Sequence, residues 1–297
     1  MFLIKKYIKK NNKKAFSIIE ISVVILIVSV MVAGIATGRS MIIKSRLTNA
    51  KSLTQKSVIN EMGDDLIAWY ETSLESSFIP SEAKTDGSLI TVWKDSNKSA
   101  IKKNDATIGV SPTLVQNVFY NSIPGLRFTG TQYLNFNGSK FAKNSYTVFV
   151  VEQRRSGISQ NYFIAGANYA TNGNLHLGYR HNSIITQAHY ANDFDTPNIF
   201  ADYSPSSITP RIHTFLFNNS IGKQYTLNGK NTYTHLNQSS LQLTPLNSFN
   251  NARVGLYNGV YYVGDLAEII MFKRSLKTEE VEAIESYLGS KYGIPVS

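Results

Sequence analysis

Residues 16–38 form an apolar run, FSIIEISVVILIVSVMVAGIATG, in which Glu20 is the one charged side chain. As a helix rising about 1.5 Å per residue, this run reaches roughly 35 Å, enough to cross a hydrocarbon layer of about 30 Å. Lys5, Lys6, Lys9, Lys10, Lys13 and Lys14 precede it with no acid among them. Those lysines are expected to stay on the cytoplasmic side while the remainder of the chain crosses. They also explain most of the formal net charge of +10, since the chain after residue 15 carries +4. No basic face for nucleic acid is implied.

Three readings fit such an N-terminus: a cleaved secretory signal ending near Gly34-Ile35-Ala36, a plain transmembrane anchor, or a leader removed on the cytoplasmic side. A carboxylate inside an apolar segment is costly and demands a partner. Neither a secretory signal nor a plain anchor has an evident use for Glu20, so this residue favours the third reading.

The stretch Lys13-Lys14-Ala15-Phe16-Ser17-Ile18-Ile19-Glu20, with the apolar run behind it, resembles the class III signal of type IV pilins and type II secretion pseudopilins. The resemblance implies a prepilin leader over residues 1–15, cut between Ala15 and Phe16 by a prepilin peptidase, with methylation of the new Phe16 amine. Ala15 stands where the family usually has Gly, and is small enough to fit. A freed Phe16 ammonium and the Glu20 carboxylate could then neutralise each other between neighbouring subunits and set register during assembly. Expected partners are the peptidase, the bacterial inner membrane and other pilin-type subunits, in a pilus or a secretion pseudopilus.

Met41, Ile42, Ile43, Leu47, Ala50, Leu53, Val58, Ile59 and Met62 recur at three- and four-residue steps. The spacing predicts an amphipathic continuation of the helix over residues 39–64.

From about residue 65 the texture changes to short apolar or aromatic runs separated by Asn, Gly, Ser and Pro clusters, as in an all-β sandwich. Residues 146–152 are apolar on both alternating faces and predict a central strand, and Asn228-Gly229 predicts a hairpin. Further strands are expected at residues 253–257 and 267–272. A short C-terminal helix is expected after Thr278 as cap, with Val281, Ile284 and Leu288 on one face and Gly289 or Gly293 as its end. The expected fold is mainly β: a long N-terminal helix, an antiparallel β sandwich and this short helix.

Several segments of residues 65–297 resemble the laminin-G-like, concanavalin A-like jelly roll of bacterial surface proteins. They include Trp93-Lys94-Asp95-Ser96, Gly125-Leu126-Arg127-Phe128, Gly264-Asp265-Leu266-Ala267-Glu268 and Tyr292-Gly293. The resemblance implies glycan or protein recognition, and in some relatives glycan cleavage.

The absence of cysteine excludes disulfides and thiolate chemistry. The Glu-x-Asp-x-x-Glu pattern that glycan hydrolysis on a jelly-roll strand uses is absent, only Asp193 and Asp195 stand two apart between residues 90 and 270, and no His pair has metal-ligand spacing. No catalytic residue and no enzymatic activity are therefore expected. Asp193 and Asp195 read as a solvated turn, with calcium binding as the alternative. Asp265 and Glu268 read as structural acceptors beside the sheet. Aromatic, amide and charged groups suited to a sugar place a ligand contact at Tyr179, Arg180, His189, Tyr190, Asn192 and Asp193. The function expected is a minor pilin or pseudopilin-like subunit displaying a lectin-like domain. A membrane-anchored glycan-active enzyme and a purely structural pseudopilin remain alternatives.

Overall fold

The computed structural model describes residues 17–167, 170–181, 183–190, 192–200, 208–237 and 243–296. Two compact units divide between Lys44 and Ser45.

The first unit is the N-terminal part of helix α1 (Ile18–Gln55). Its apolar side chains from Ile18 to Ile35 are exposed, and it is long and apolar enough to cross a membrane. Ser17 caps its start: Ser17 Oγ accepts from the Ile19 N–H at 3.3 Å, and Glu20 Oε2 accepts from the Ser17 N–H at 2.9 Å. This Ser-x-x-Glu reciprocal cap satisfies backbone donors that have no partner inside the helix.

The second unit, Ser45–Ser297, is mainly β. Its first sheet runs, in spatial order, Asn231–Leu236, Gly222–Leu227, Pro210–Asn218, Tyr146–Arg154, Val263–Phe272, Ile123–Thr129 and Thr113–Phe119. Leu66–Glu71 also pairs with Val263–Phe272. The second sheet runs Phe194–Asp195, Ile184–Ala188, His176–His181, Asn161–Ala165, Ala252–Val254, Tyr133–Phe136, Ala106–Val110 and Val92–Trp93. Every pairing recorded is antiparallel, and the architecture is a jelly-roll-like β sandwich.

The central strand Tyr146–Arg154 shows why both its faces are apolar. Tyr146, Val148 and Val150 enter the core between the sheets. Phe149 and Val151 enter a second core behind the first sheet, made with helix α2 (Thr278–Tyr292). Ile284, Leu288 and Tyr292 of α2 join that core, as do Ala50 and Leu53 of α1.

A bulge between Leu266 and Glu268 turns Ala267 and Glu268 to the same, helix-facing side. Glu268 there accepts from the Trp69 indole at 2.6 Å, from Tyr287 at 2.9 Å, from Tyr292 at 2.8 Å and from Lys291 at 2.7 Å. Asp265 accepts from Arg127 at 2.7 Å and from Arg155 at 3.2 Å.

Two boundaries differ from those expected. Helix α1 ends at Gln55, and single 3-10 turns occupy Val58–Glu61 and Gly63–Asp65. Ser57, whose Oγ accepts from the Ile59 N–H, opens the first of these turns and so competes with continued α-helix. At α2 the cap position is Lys277, whose N–H donates to Glu280 Oε2 at 2.8 Å, and Thr278 is the first helical residue. Gly293, at φ +65°, ends α2. The expected hairpin forms at Asn228 and Gly229, with φ of +53° and +66°.

Candidate functional site

The strand His176–His181 alternates between the two sides of the second sheet. Leu177 and Tyr179 enter the core between the sheets, so His176 and Arg180 point away from it. Gly178, at φ +148°, sits where the neighbouring strand bulges between Tyr162 and Ile164. A Cβ there would lie 2.6 Å from Tyr162 Cα, so this close approach requires glycine.

On the outward side His176 stacks on Tyr257, with ring centroids 4.8 Å apart and planes at 20°. Tyr162 meets Tyr257 edge-on at 5.0 Å. These rings wall a cleft of about 400 Å³ that Arg180, Tyr190 and Asp193 also line. Tyr190 is 39 % exposed and adopts φ +65°, a conformation that a bulky residue rarely holds and that often marks ligand sites.

Arg180 organises the charges. It donates to Asp193 Oδ2 at 2.5 Å and stands 3.2 Å from Asp195 Oδ2. The two carboxylates outweigh the opposing effect of burial and hold the guanidinium above its usual range. Burial drives His176 down to about 4, against the opposing pull of Asp193, so the ring is neutral at ordinary pH. Lys223 lies beneath, donating to the carbonyls of Gln187 at 3.2 Å and Asn192 at 2.9 Å. Burial lowers Lys223 to about 7.

Of the residues expected to touch a ligand, the structure thus brings Arg180, Tyr190 and Asp193 together. Asn192 is exposed beside them and holds Lys223 through its carbonyl.

Tyr179 and His189 are corrections. Tyr179 is buried between the sheets and donates to Glu152 at 2.8 Å. His189 is buried too, with Nε2 2.9 Å from the Tyr146 hydroxyl and Nδ1 3.0 Å from the Thr244 carbonyl. Tyr257, in a segment whose aromatic and amide groups also suit a sugar, lines the cleft, and Tyr162 and His176 join it without having been expected there. The signal that finds His176 is the two-residue alternation, which separates His176 and Arg180 from Leu177 and Tyr179.

Asp193 and Asp195 do not form a free turn, because Arg180 stands between them, where the calcium alternative would put its ion. Among the described residues no three His, Asp or Glu side chains converge as metal ligands.

A larger cavity of about 670 Å³ lies by residues 97–105. Its amides are spent on holding loops: Asn97 donates to the Gly63 carbonyl at 2.9 Å and Asn104 to the Asn137 carbonyl at 2.9 Å. The smaller cleft is the better functional candidate.

Ala15 and Phe16 lie outside the described residues. The structure gives Glu20 a contact within one chain in addition to the assembly role that the sequence suggests. Its carboxylate completes the cap of α1 within one chain, a use that any anchor helix could make of it.

Comparison of the sequence with protein-family models gives no match, and comparison with curated proteins gives none. Solved structures do match. An α-L-arabinofuranosidase soaked with a cyclic sulfate inhibitor superposes with a TM-score of 0.56 at 12% identity, covering 80% of this chain and 65% of that one. Trypanosoma rangeli sialidase in complex with sialic acid gives 0.50 at 12% identity, covering 76% of this chain and 33% of that one. A mutant of that sialidase displaying trans-sialidase activity gives 0.51 at 12% identity, covering 77% and 34%. The chain spans about a third of the sialidases' length and just under two thirds of the arabinofuranosidase. The shared feature is the β-sandwich fold.

These neighbours correct the expectation that the chain has no enzymatic activity. That expectation rested on motif spacing within one strand, and glycosidases share this fold without any match in sequence.

Proposed function

We propose that the chain is a membrane-inserted, prepilin-like subunit that displays a glycan-recognising β sandwich. A prepilin peptidase removes residues 1–15, the Phe16 amine is methylated, and the helix from Phe16 holds the subunit in the inner membrane until it assembles into a pilus or pseudopilus. Glu20 then has two successive roles. In the isolated subunit it caps α1, and in the assembly it faces the Phe16 ammonium of a neighbour.

The observation that carries this reading is the joining of two features in one chain. An exposed apolar helix bears a single carboxylate in its first turn, and its last turns, through Ala50 and Thr54, are buried against the sandwich. Recognition is assigned to the cleft of Tyr162, His176, Arg180, Tyr190, Asp193 and Tyr257, because aromatic walls with a few polar groups suit saccharides.

The test is the mass of the chain recovered from membranes of cells that carry a prepilin peptidase. Loss of residues 1–15 with addition of one methyl group is the expected result, and Ala15→Leu is expected to abolish it.

A further inference from the structure

We infer that the outward cleft selects neutral, hydroxyl-rich saccharides and rejects carboxylated ones. The inference rests on the recognition reading above and adds the ligand class.

A site for sialic or uronic acids needs a cation free to meet the ligand carboxylate, and arginine serves best because its fork binds carboxylate at two points. The cleft holds one arginine, and its fork is already engaged. One arm donates to Asp193 Oδ2 and the other faces Asp195 Oδ2. The Tyr162 hydroxyl bonds to the same guanidinium, and His176 Nε2 stands 3.4 Å from it. Arg180 faces two carboxylates, so an acidic sugar reaches the guanidinium only by displacing one of them. His176 supplies no cation in its place, since burial keeps it neutral. The Lys223 ammonium is turned to the Gln187 and Asn192 carbonyls and is fully buried.

The same wall is suited to hydroxyls. Among the described residues two enclosed polar atoms of the cleft have no partner, Nδ1 of His176 and Oδ1 of Asp193. His176 is only 3 % exposed, so its unpartnered nitrogen is a buried polar group without compensation. The guanidinium beside Nε2 favours the tautomer with its proton on Nδ1, which makes that atom a donor. Asp193 Oδ1 is an acceptor. Neither atom is open to solvent, so a ligand hydroxyl meets them only where the cleft side chains shift; a hydroxyl then answers both the donor and the acceptor, while a carboxylate answers only the donor. Tyr190 supplies an exposed ring at the rim for the apolar face of a sugar.

The test uses the full chain in detergent micelles, titrated by calorimetry with two panels: neutral oligosaccharides (mannotriose, xylotetraose, arabinotriose) and acidic ones (sialyllactose, trigalacturonate). Binding confined to the neutral panel is expected. Tyr190→Ala is expected to weaken it about tenfold, or roughly 1.4 kcal/mol. Asp193→Asn with Asp195→Asn frees Arg180 and is expected to raise affinity for the acidic panel at least about tenfold. The single Asp195→Asn variant, at a residue outside the cleft lining, repeats the test should the double variant fail to fold.

Tighter binding of acidic than of neutral sugars by the unaltered protein overturns the inference while leaving glycan recognition standing. Binding of neither panel overturns glycan recognition itself, and the inference with it. No gain for acidic sugars in either folded variant also overturns it.

Discussion

The Nζ of Lys291, on α2, lies 2.7 Å from Oε2 of Glu268, on the sheet beneath, and neither side chain is exposed. The ammonium also reaches Glu71 Oε2 at 3.2 Å and the Tyr287 hydroxyl at 3.2 Å. Tyr287 in turn meets Thr54 Oγ1 at 3.2 Å. One buried lysine therefore ties together α2, two strands and the last turns of α1. Glu71 keeps a lowered pKa. Burial alone would raise it, and Lys291 together with Ser73, Ser77 and the Leu74 N–H outweighs that effect.

Lys291→Met is expected to destabilise the protein by about 3–5 kcal/mol, because it strands two carboxylates out of water. Thermal unfolding of the full chain in detergent measures this. Adding Glu71→Gln and Glu268→Gln to Lys291→Met is expected to recover a large part of the loss, since no uncompensated charge then remains.

Acid is expected to destabilise the fold well before its carboxylates protonate. Burial lowers His176 to about 4, takes His189 well below its usual value and lowers His213. The unfolded chain binds protons at these positions near pH 6.5, while the folded protein refuses them. Their contribution is complete above about 6.5 and is lost as pH falls toward 4. Melting temperature should therefore drop between pH 7.5 and pH 5. A flat or rising curve would show that these rings are protonated when folded.

Glu20→Gln and Glu20→Ala separate the two roles of this side chain. Gln keeps an oxygen to accept from the Ser17 N–H, so the cap should survive; Ala removes it, at a cost of about 1 kcal/mol. Circular dichroism of residues 16–38 in micelles should show lower helicity for Ala than for Gln. Both variants should be cleaved normally and both should fail to enter filaments, because neither carries the charge that meets the Phe16 ammonium.

Gly229→Val should destabilise the fold by more than 1 kcal/mol or so, read by thermal unfolding. Gly229 holds φ +66° in a hairpin turn, and a Cβ there would lie 3.1 Å from Glu285 Oε2.

Local patterns in the sequence carried the fold further than the site. Residues 146–152 carry apolar side chains on both alternating faces because both faces are covered, and that pattern predicted a central strand correctly. Asn228-Gly229 predicted its hairpin because few other pairs adopt two positive φ angles in succession. The site needed a finer rule. Tyr179 and Arg180 were grouped as neighbours, yet adjacent residues on a strand face opposite ways, and only Arg180 reaches the cleft. Tyr257 lies far from both in sequence, and no local pattern connects it to His176. The bulge at Leu266–Glu268 left no mark in composition, so the joining of Glu268 to Lys291 was legible only from the fold.

Intact-mass spectrometry of the chain extracted from membranes tests the central claim most directly. The account predicts a polypeptide that begins at a methylated Phe16 and retains the whole apolar helix. A chain that still carries Lys13 and Lys14, or one that has lost the residues up to Ala36, would contradict it.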